Sequence, residues 1–161
     1  MTRMADGPTV EVAVDISAPP SVVWSLIADI NLSARFQDEF VEGEWLDDEP
    51  RVGSRFLGRN RMGDRQWETT NYVVAYEPEH RFGWAVDDPD NPGATWTFIL
   101  DATDEGTALT YHRVVGPGPS GLTAAIERHP EREEEFIERR NAVHRDHMFA
   151  VIEGVKGLAE A

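Results

Sequence analysis

Three features of this sequence predict an α+β fold in which an antiparallel sheet curves around one long C-terminal helix. Short segments rich in β-branched and aromatic residues succeed one another from Phe40 to Val114, with connections short enough for antiparallel neighbours. A Pro/Gly-rich break, Gly116 to Gly121, ends that series, and a helical apolar period occupies most of the remaining chain. Polar side chains recur on the sheet and helix rows that must face inward. A dry core would leave such groups without partners, so the interior is expected to hold a cavity.

The first strand is expected at Val10 to Ile16, where apolar and polar positions alternate. "APPSVVWSLIADI" then opens a helix. Pro19 and Pro20 suit a helix N-terminus, where the missing N–H has no partner to lose, and Val23, Trp24, Ile27 and Ile30 share a face. A second short helical turn is expected over Asn31 to Arg35. Further strands are expected at Phe40–Leu46, Ser54–Met62, Gln66–Tyr76, Arg81–Val86, Thr95–Ala102 and Thr107–Val114, as one meander. After the break come a short helix, about Leu122 to Arg128, and a long one, about Pro130 to Leu158. The acidic start "PEREEE" complements the positive end of the helix dipole. Residues 1–161 are expected to form one domain, with an ordered core over about residues 9–159.

The hairpin "FLGRNRMGDRQWETT" fixes its own register. A two-residue turn at Gly63-Asp64 sets Arg59 opposite Glu68, Asn60 opposite Trp67, Gly58 opposite Thr69 and Phe56 opposite Asn71. Opposite charges then meet outside, while Asn60, Thr69 and Asn71 share the inner face. Phe82, Trp84 and Val86 form another inner row, and Trp96, Phe98 and Leu100 a third. On the last strand Leu109, Tyr111 and Arg113 share a row. The long helix carries Met148, Val151, Val155 and Leu158 on its core face; towards its start the same face carries Ile137, Arg140, His144 and His147. Two inner faces that mix aromatic surface with polar tips have the character of a ligand pocket.

Composition narrows the function classes. A hydrophobic fraction of 40% with five tryptophans indicates a folded globular chain. The net charge of −15 argues against nucleic acid and anionic membrane surfaces as partners. No apolar run is long enough to span a bilayer, and "MTRMADGPTV" lacks the apolar centre of a signal peptide. With no cysteine there is no disulfide or thiolate site, so a cytoplasmic location is expected.

The stretches "ISAPPSVVWSLIADI", "VEGEWLDDEPRVGSRFLGRNRMGDRQWETT", "YEPEHRFGW" and "GPGPSGLTAAIERHP", with the order strand, helix, helix, six strands, long helix, resemble the SRPBCC/START superfamily. Within it they are most similar to the polyketide cyclase/dehydrase-like subgroup. The resemblance implies the helix-grip fold: a seven-stranded antiparallel sheet wrapped around the C-terminal helix, two short helices after the first strand, and a deep hydrophobic cavity. Its members include polyketide aromatase/cyclases, lipid and sterol carriers and hormone receptors. The superfamily has no universal catalytic motif, so function must be read from the site.

The expected ligand-binding residues are Asn60, Trp67, Thr69 and Asn71 on the hairpin, and Trp84, Trp96, Phe98, Tyr111 and Arg113 on the later strands. Ile137, Arg140 and His144 complete the set from the helix. Trp24 is expected to pack the first helix. Arg55, Arg59 and Arg61 read as a solvated ladder with Glu42, Glu44 and Glu68. "HRDH" sets His144 and His147 three apart, but no spacing supplies a third metal ligand, so no metal and no cofactor are expected. "DDPDNPG" lacks the spacing of a calcium loop, and Ser120 and Thr123 lack the setting of a nucleophile. The expected function is binding of a small hydrophobic molecule, aromatic or polyketide-like, by a monomer or homodimer. The alternative is a cyclase/aromatase that orients a polyketone and uses Arg113, Arg140, Tyr111 or His144 for enol and proton transfers.

Overall fold

The computed structural model describes residues 2–161. One sheet is formed by β1 (Thr9–Ile16), β2 (Phe40–Trp45), β3 (Arg55–Met62), β4 (Arg65–Glu77), β5 (Arg81–Val86), β6 (Ala94–Thr103) and β7 (Gly106–Val115). Strands β2 to β7 run as a meander, and β1 closes against β7, giving seven antiparallel strands in the order β1-β7-β6-β5-β4-β3-β2. Helix α1 (Pro20–Ile27) and a 3₁₀ turn (Leu32–Arg35) come after β1; α2 (Gly121–Arg128) and α3 (Glu133–Ala159) come after β7. This is the expected helix-grip arrangement. Among the described residues no helix is long and apolar enough to cross a membrane.

Alternation sets the faces of the sheet. Along β7 every second residue is buried: Thr107, Leu109, Tyr111, Arg113 and Val115. The β3–β4 hairpin has the expected register, with Arg59 opposite Glu68 and Asn60 opposite Trp67. Gly63 occupies the left-handed region at φ 63° that a two-residue hairpin turn requires. Outside, Arg59 gathers Glu42, Glu44 and Glu68 at 3.0–3.2 Å, while Arg55 turns to Asp47.

The last two turns of α3 seal the core. Val151, Ile152 and Val155 pack with Val10, Ile16 and Leu109, each at most 2% exposed. Burying one such side chain stabilises the fold by about 1.5–3 kcal/mol. Gly154 lets α3 approach Phe36: a Cβ there would fall 2.5 Å from the phenyl ring.

One helix boundary differs from expectation. A 3₁₀ turn (Pro130–Arg132) precedes α3, which starts at Glu133 because His129 leaves the helical region at φ −138°, ψ 69°. The turn Met4–Asp6 is tied down because the Met4 amide donates to Glu133 at 2.8 Å, and Pro8 packs inside.

Candidate functional site

Between the sheet, the segment from Ile27 to Phe40, α2 and the inner face of α3 from Arg140 to Val151 lies a cavity of about 1000 Å³. Strand alternation builds its walls. Phe56 of β3, Trp84 of β5, Phe98 of β6 and Tyr111 of β7 form a continuous row, their rings 5.8 Å apart for Phe56–Trp84, 6.1 Å for Trp84–Phe98 and 4.0 Å, stacked, for Phe98–Tyr111. Trp96 extends the wall, 5.7 Å from Tyr111 and 5.0 Å from the His144 ring. Trp24, by contrast, packs on Tyr76 and Phe82, as expected of a helix-core residue.

The inward asparagines of the hairpin border this space. Asn71 donates to the Phe56 carbonyl at 3.4 Å and to the Thr69 hydroxyl at 3.3 Å. Among the described residues the Asn60 side chain reaches only the Gly58 carbonyl, at 3.5 Å, too long for a strong bond. Gly58 makes room for the group, since a Cβ there would lie 2.9 Å from the Asn71 amide nitrogen and 3.1 Å from the Thr69 hydroxyl. Asn60 therefore keeps most of its hydrogen-bonding capacity for whatever enters the cavity.

The polar end is built where β7 meets α3. Arg113 is fully buried and donates to His144 Nδ1 at 2.9 Å, the Pro8 carbonyl at 3.1 Å and Asn141 Oδ1 at 2.7 Å. Among the described residues its Nε has no partner. A guanidinium can only donate, so Nδ1 of His144 must accept, and the ring is the neutral tautomer with its hydrogen on Nε2. Burial, with the charges of Arg140, Arg113 and His147, pushes His144 down to about 2. Burial and the like charges of Arg140 and Arg145 push Arg113 down to about 10, still a cation at neutral pH. The Tyr111 phenol is raised by burial and stays protonated.

Of the expected site residues, Asn60, Trp67, Thr69, Asn71, Trp84, Trp96, Phe98, Tyr111, Arg140 and His144 line the cavity. Arg113 and Ile137 do not. Arg113 lies behind His144 and acts on the cavity only through that ring. Ile137 is fully buried in the packing around α3. Arg140 reaches the lining but is held by Glu39 in a two-pronged pair at 2.6 and 2.8 Å. The three expected polar tips thus divide into a bonded pair, Arg113–His144, and a neutralised arginine.

Sequence reasoning missed Glu39, Asn141 and the α2 wall, which contributes Leu122, Ala125 and Arg128. An acidic residue 101 positions from its arginine carries no local signal. The amphipathic pattern of α2 is visible in the sequence, but not the surface it covers. His147 lines the cavity 3.8 Å from Asp38, and Asp87 and Gly93 place the "DDPDNPG" loop at the cavity too.

The family described as polyketide cyclase/dehydrase and lipid transport matches residues 7–135. Among solved structures, a polyketide-cyclase-like protein of Corynebacterium glutamicum is 28% identical, with a TM-score of 0.69 over 93% of this chain and 90% of that one. The Zhui aromatase/cyclase of a Streptomyces species is 18% identical, with a TM-score of 0.68 over 94% of this chain and 93% of that one. The two-domain aromatase/cyclase StfQ of the steffimycin biosynthetic pathway is 13% identical, with a TM-score of 0.76 over 98% of this chain and 52% of that one. At such identities the last two show a shared fold. No curated protein matches the chain by sequence.

Proposed function

The chain belongs to the polyketide cyclase/dehydrase and lipid transport family, and from that membership and the cavity's geometry we propose that it binds a small, largely apolar aromatic or polyketide-like molecule. The observation that carries this reading is the wall of Trp84, Trp96, Phe98 and Tyr111 ending at the free Nε2–H of His144. About 1000 Å³ is the upper range of small-molecule sites and suits several fused rings. The aromatic wall supplies stacking and edge contacts to such a ligand. His144 supplies a directional donor for a carbonyl, enol or phenolic oxygen.

Native mass spectrometry of the purified protein, with identification of what denaturation releases, tests for a resident ligand. Titration with the neutral fluorophore N-phenyl-1-naphthylamine tests the cavity directly. Trp67, Trp84 and Trp96 line it and should transfer energy to the bound probe. If neither this probe nor others of varied size bind while unfolding stays cooperative, the interior is a packed core and the proposal fails.

The Arg113–His144 pair also supports a second reading, cyclisation or aromatisation of a bound polyketone. A preorganised donor backed by a buried cation stabilises a developing enolate oxygen, as neutral imidazole can, and orientation in the cavity supplies the rest. Proton abstraction by His144 has no part in it, because Nδ1 is bonded to Arg113 and Nε2 already carries hydrogen. With the true ligand in hand, His144→Phe separates the readings. A carrier loses affinity, whereas a catalyst loses turnover with little change in affinity.

A further inference from the structure

The sheet has a second face. Its inner rows meet α1, α3 and the cavity, and the alternate residues of the same strands point the other way. On this outer face the register sets Ala85 beside Thr95, Thr97 beside His112, and Ile99 beside Thr110. None of these six is an acid, a lysine or an arginine. On β4, Tyr72 stands beside Ala85, and the bulge between Val73 and Ala75 leaves Val74 40% exposed. Charge begins at the margins: Glu11 and Asp15 on β1, Arg81 and Asp101 across one end, Arg55 and Arg59 on β3. In a chain with 28% charged residues and a net charge of −15, this leaves a neutral centre inside a charged rim. That is the anatomy of a protein interface. The edges of the sheet are closed to the same use. Asn31 donates to and accepts from the Gly43 backbone at 3.1 and 2.7 Å, and Gln37 does so for Phe40, at 2.9 Å each way, so β2 is capped. Lys156 takes the Asp15 carbonyl of β1 at 2.8 Å.

We propose that the outer face is a self-association surface, on which a second copy of the chain packs sheet on sheet about a two-fold axis. Charge, shape and area select a second copy as the occupant. Two chains of net charge −15 repel each other over most of their surfaces, and here they meet without bringing like charges together. A basic partner would be drawn to the acidic surface elsewhere. The side chains are short or β-branched, and Gly83 and Ala85 keep β5 low between its neighbours, so the face is flat enough to meet its own image. Two such sheets stack about 10 Å apart with their strands about 30° from parallel. Strands about 4.8 Å apart and about 3.4 Å per residue give the face from β1 to β3 about 700 Å² per copy. Two copies would then bury about 1,400 Å², a standard-sized interface. In the order β1-β7-β6-β5-β4-β3 the midline runs between β6 and β5, which sets Thr97 near the axis. The cavity lies on the other side of the sheet, so pairing leaves both cavities unobstructed. The proposal stands independently of what the cavity binds.

Sedimentation velocity of the full chain, from about 1 to about 100 μM, tests this. The wild type should form a dimer at the upper end of that range. Salt screens the long-range repulsion between acidic copies, so raising it from about 0.05 to about 0.5 M should tighten the dimer several-fold. Thr97→Arg sets two cations near the axis and should give a monomer with cooperative urea unfolding retained. The added positive charge lowers the overall repulsion, so loss of the dimer locates the contact. Glu153→Arg, at an exposed position of α3, shifts the net charge the same way and should preserve or tighten the dimer. Should Thr97→Arg not fold, Thr110→Glu places an acid beside Ile99 on the same face and should also give a monomer. A wild type that stays monomeric at about 100 μM in both salts overturns the proposal and leaves the face to a different protein or to solvent. A dimer that survives both face variants, or that loosens as salt rises, overturns it as well, because its contact is then elsewhere or made of ion pairs.

Discussion

Acid should weaken this protein through His144 in a way that one substitution isolates. The ring is 7% exposed and held neutral, its pKa pushed down to about 2 from an ordinary 6.5 by burial first and then by Arg140, Arg113 and His147. In the unfolded chain it titrates normally. Below pH 6.5 the unfolded state therefore takes up a proton that the native state refuses, so stability falls as pH falls. Well below pH 6.5 the slope approaches about 1.4 kcal/mol per pH unit, and acidification from pH 6.5 to about 4.5 should remove about 2 kcal/mol. His144→Asn removes the titration and leaves an oxygen that can accept from Arg113. Urea unfolding of both proteins, monitored by tryptophan fluorescence between about pH 7.5 and pH 4.5, gives the difference curve. The carboxylates of Asp47, Glu135 and Glu160, held low chiefly by hydrogen bonds from Arg55, Arg132 and Lys156, are common to both proteins and cancel. The wild type should lose ground to the variant at the stated slope. Parallel curves would refute the neutral, Arg113-bonded histidine, and with it the assignment of Nε2–H as the cavity's donor.

Gly154→Ala should lower stability by about 1–2 kcal/mol in urea unfolding, because overpacking against the Phe36 ring outweighs the better helix propensity. In a Phe36→Leu background the same change should become neutral or stabilising; an unchanged penalty would mean the contact is not its cause. Gly58→Ala should push Asn71 and Thr69 into the cavity and weaken binding of N-phenyl-1-naphthylamine several-fold, with about 1 kcal/mol of destabilisation. Equal affinity would show that the ligand does not reach the hairpin end. Glu39→Gln should leave Arg140 partly buried without its carboxylate and lower the urea midpoint, most at low salt, where the lost pair was least screened.

Much of this protein is decided by short stretches of chain. Alternation along β7 puts Leu109, Tyr111 and Arg113 on one face, and the sequence alone says so, because the side-chain period of a strand is a property of the strand. The Gly63-Asp64 turn sets the register that brings Asn60 and Asn71 to the inner face, since a two-residue hairpin leaves no other pairing. The same local rules separate the core-sealing half of α3, around Val151, from the half that carries Arg140 and His144. What periodicity conveys is which way a residue faces, and inward has two meanings in this fold. Near Leu109 helix and sheet touch and inward means core; towards Trp96 they stand apart and inward means cavity. Only the spacing of α3 from the sheet decides that Arg113 and Ile137 belong to the packed interior while His144 faces the opening. The partners that set the chemistry join residues 31 positions apart in Arg113–His144, 101 in Arg140–Glu39 and 105 in Arg113–Pro8. Such pairs leave no mark on local periodicity, because their geometry exists only once strand, helix and N-terminal segment have been packed together.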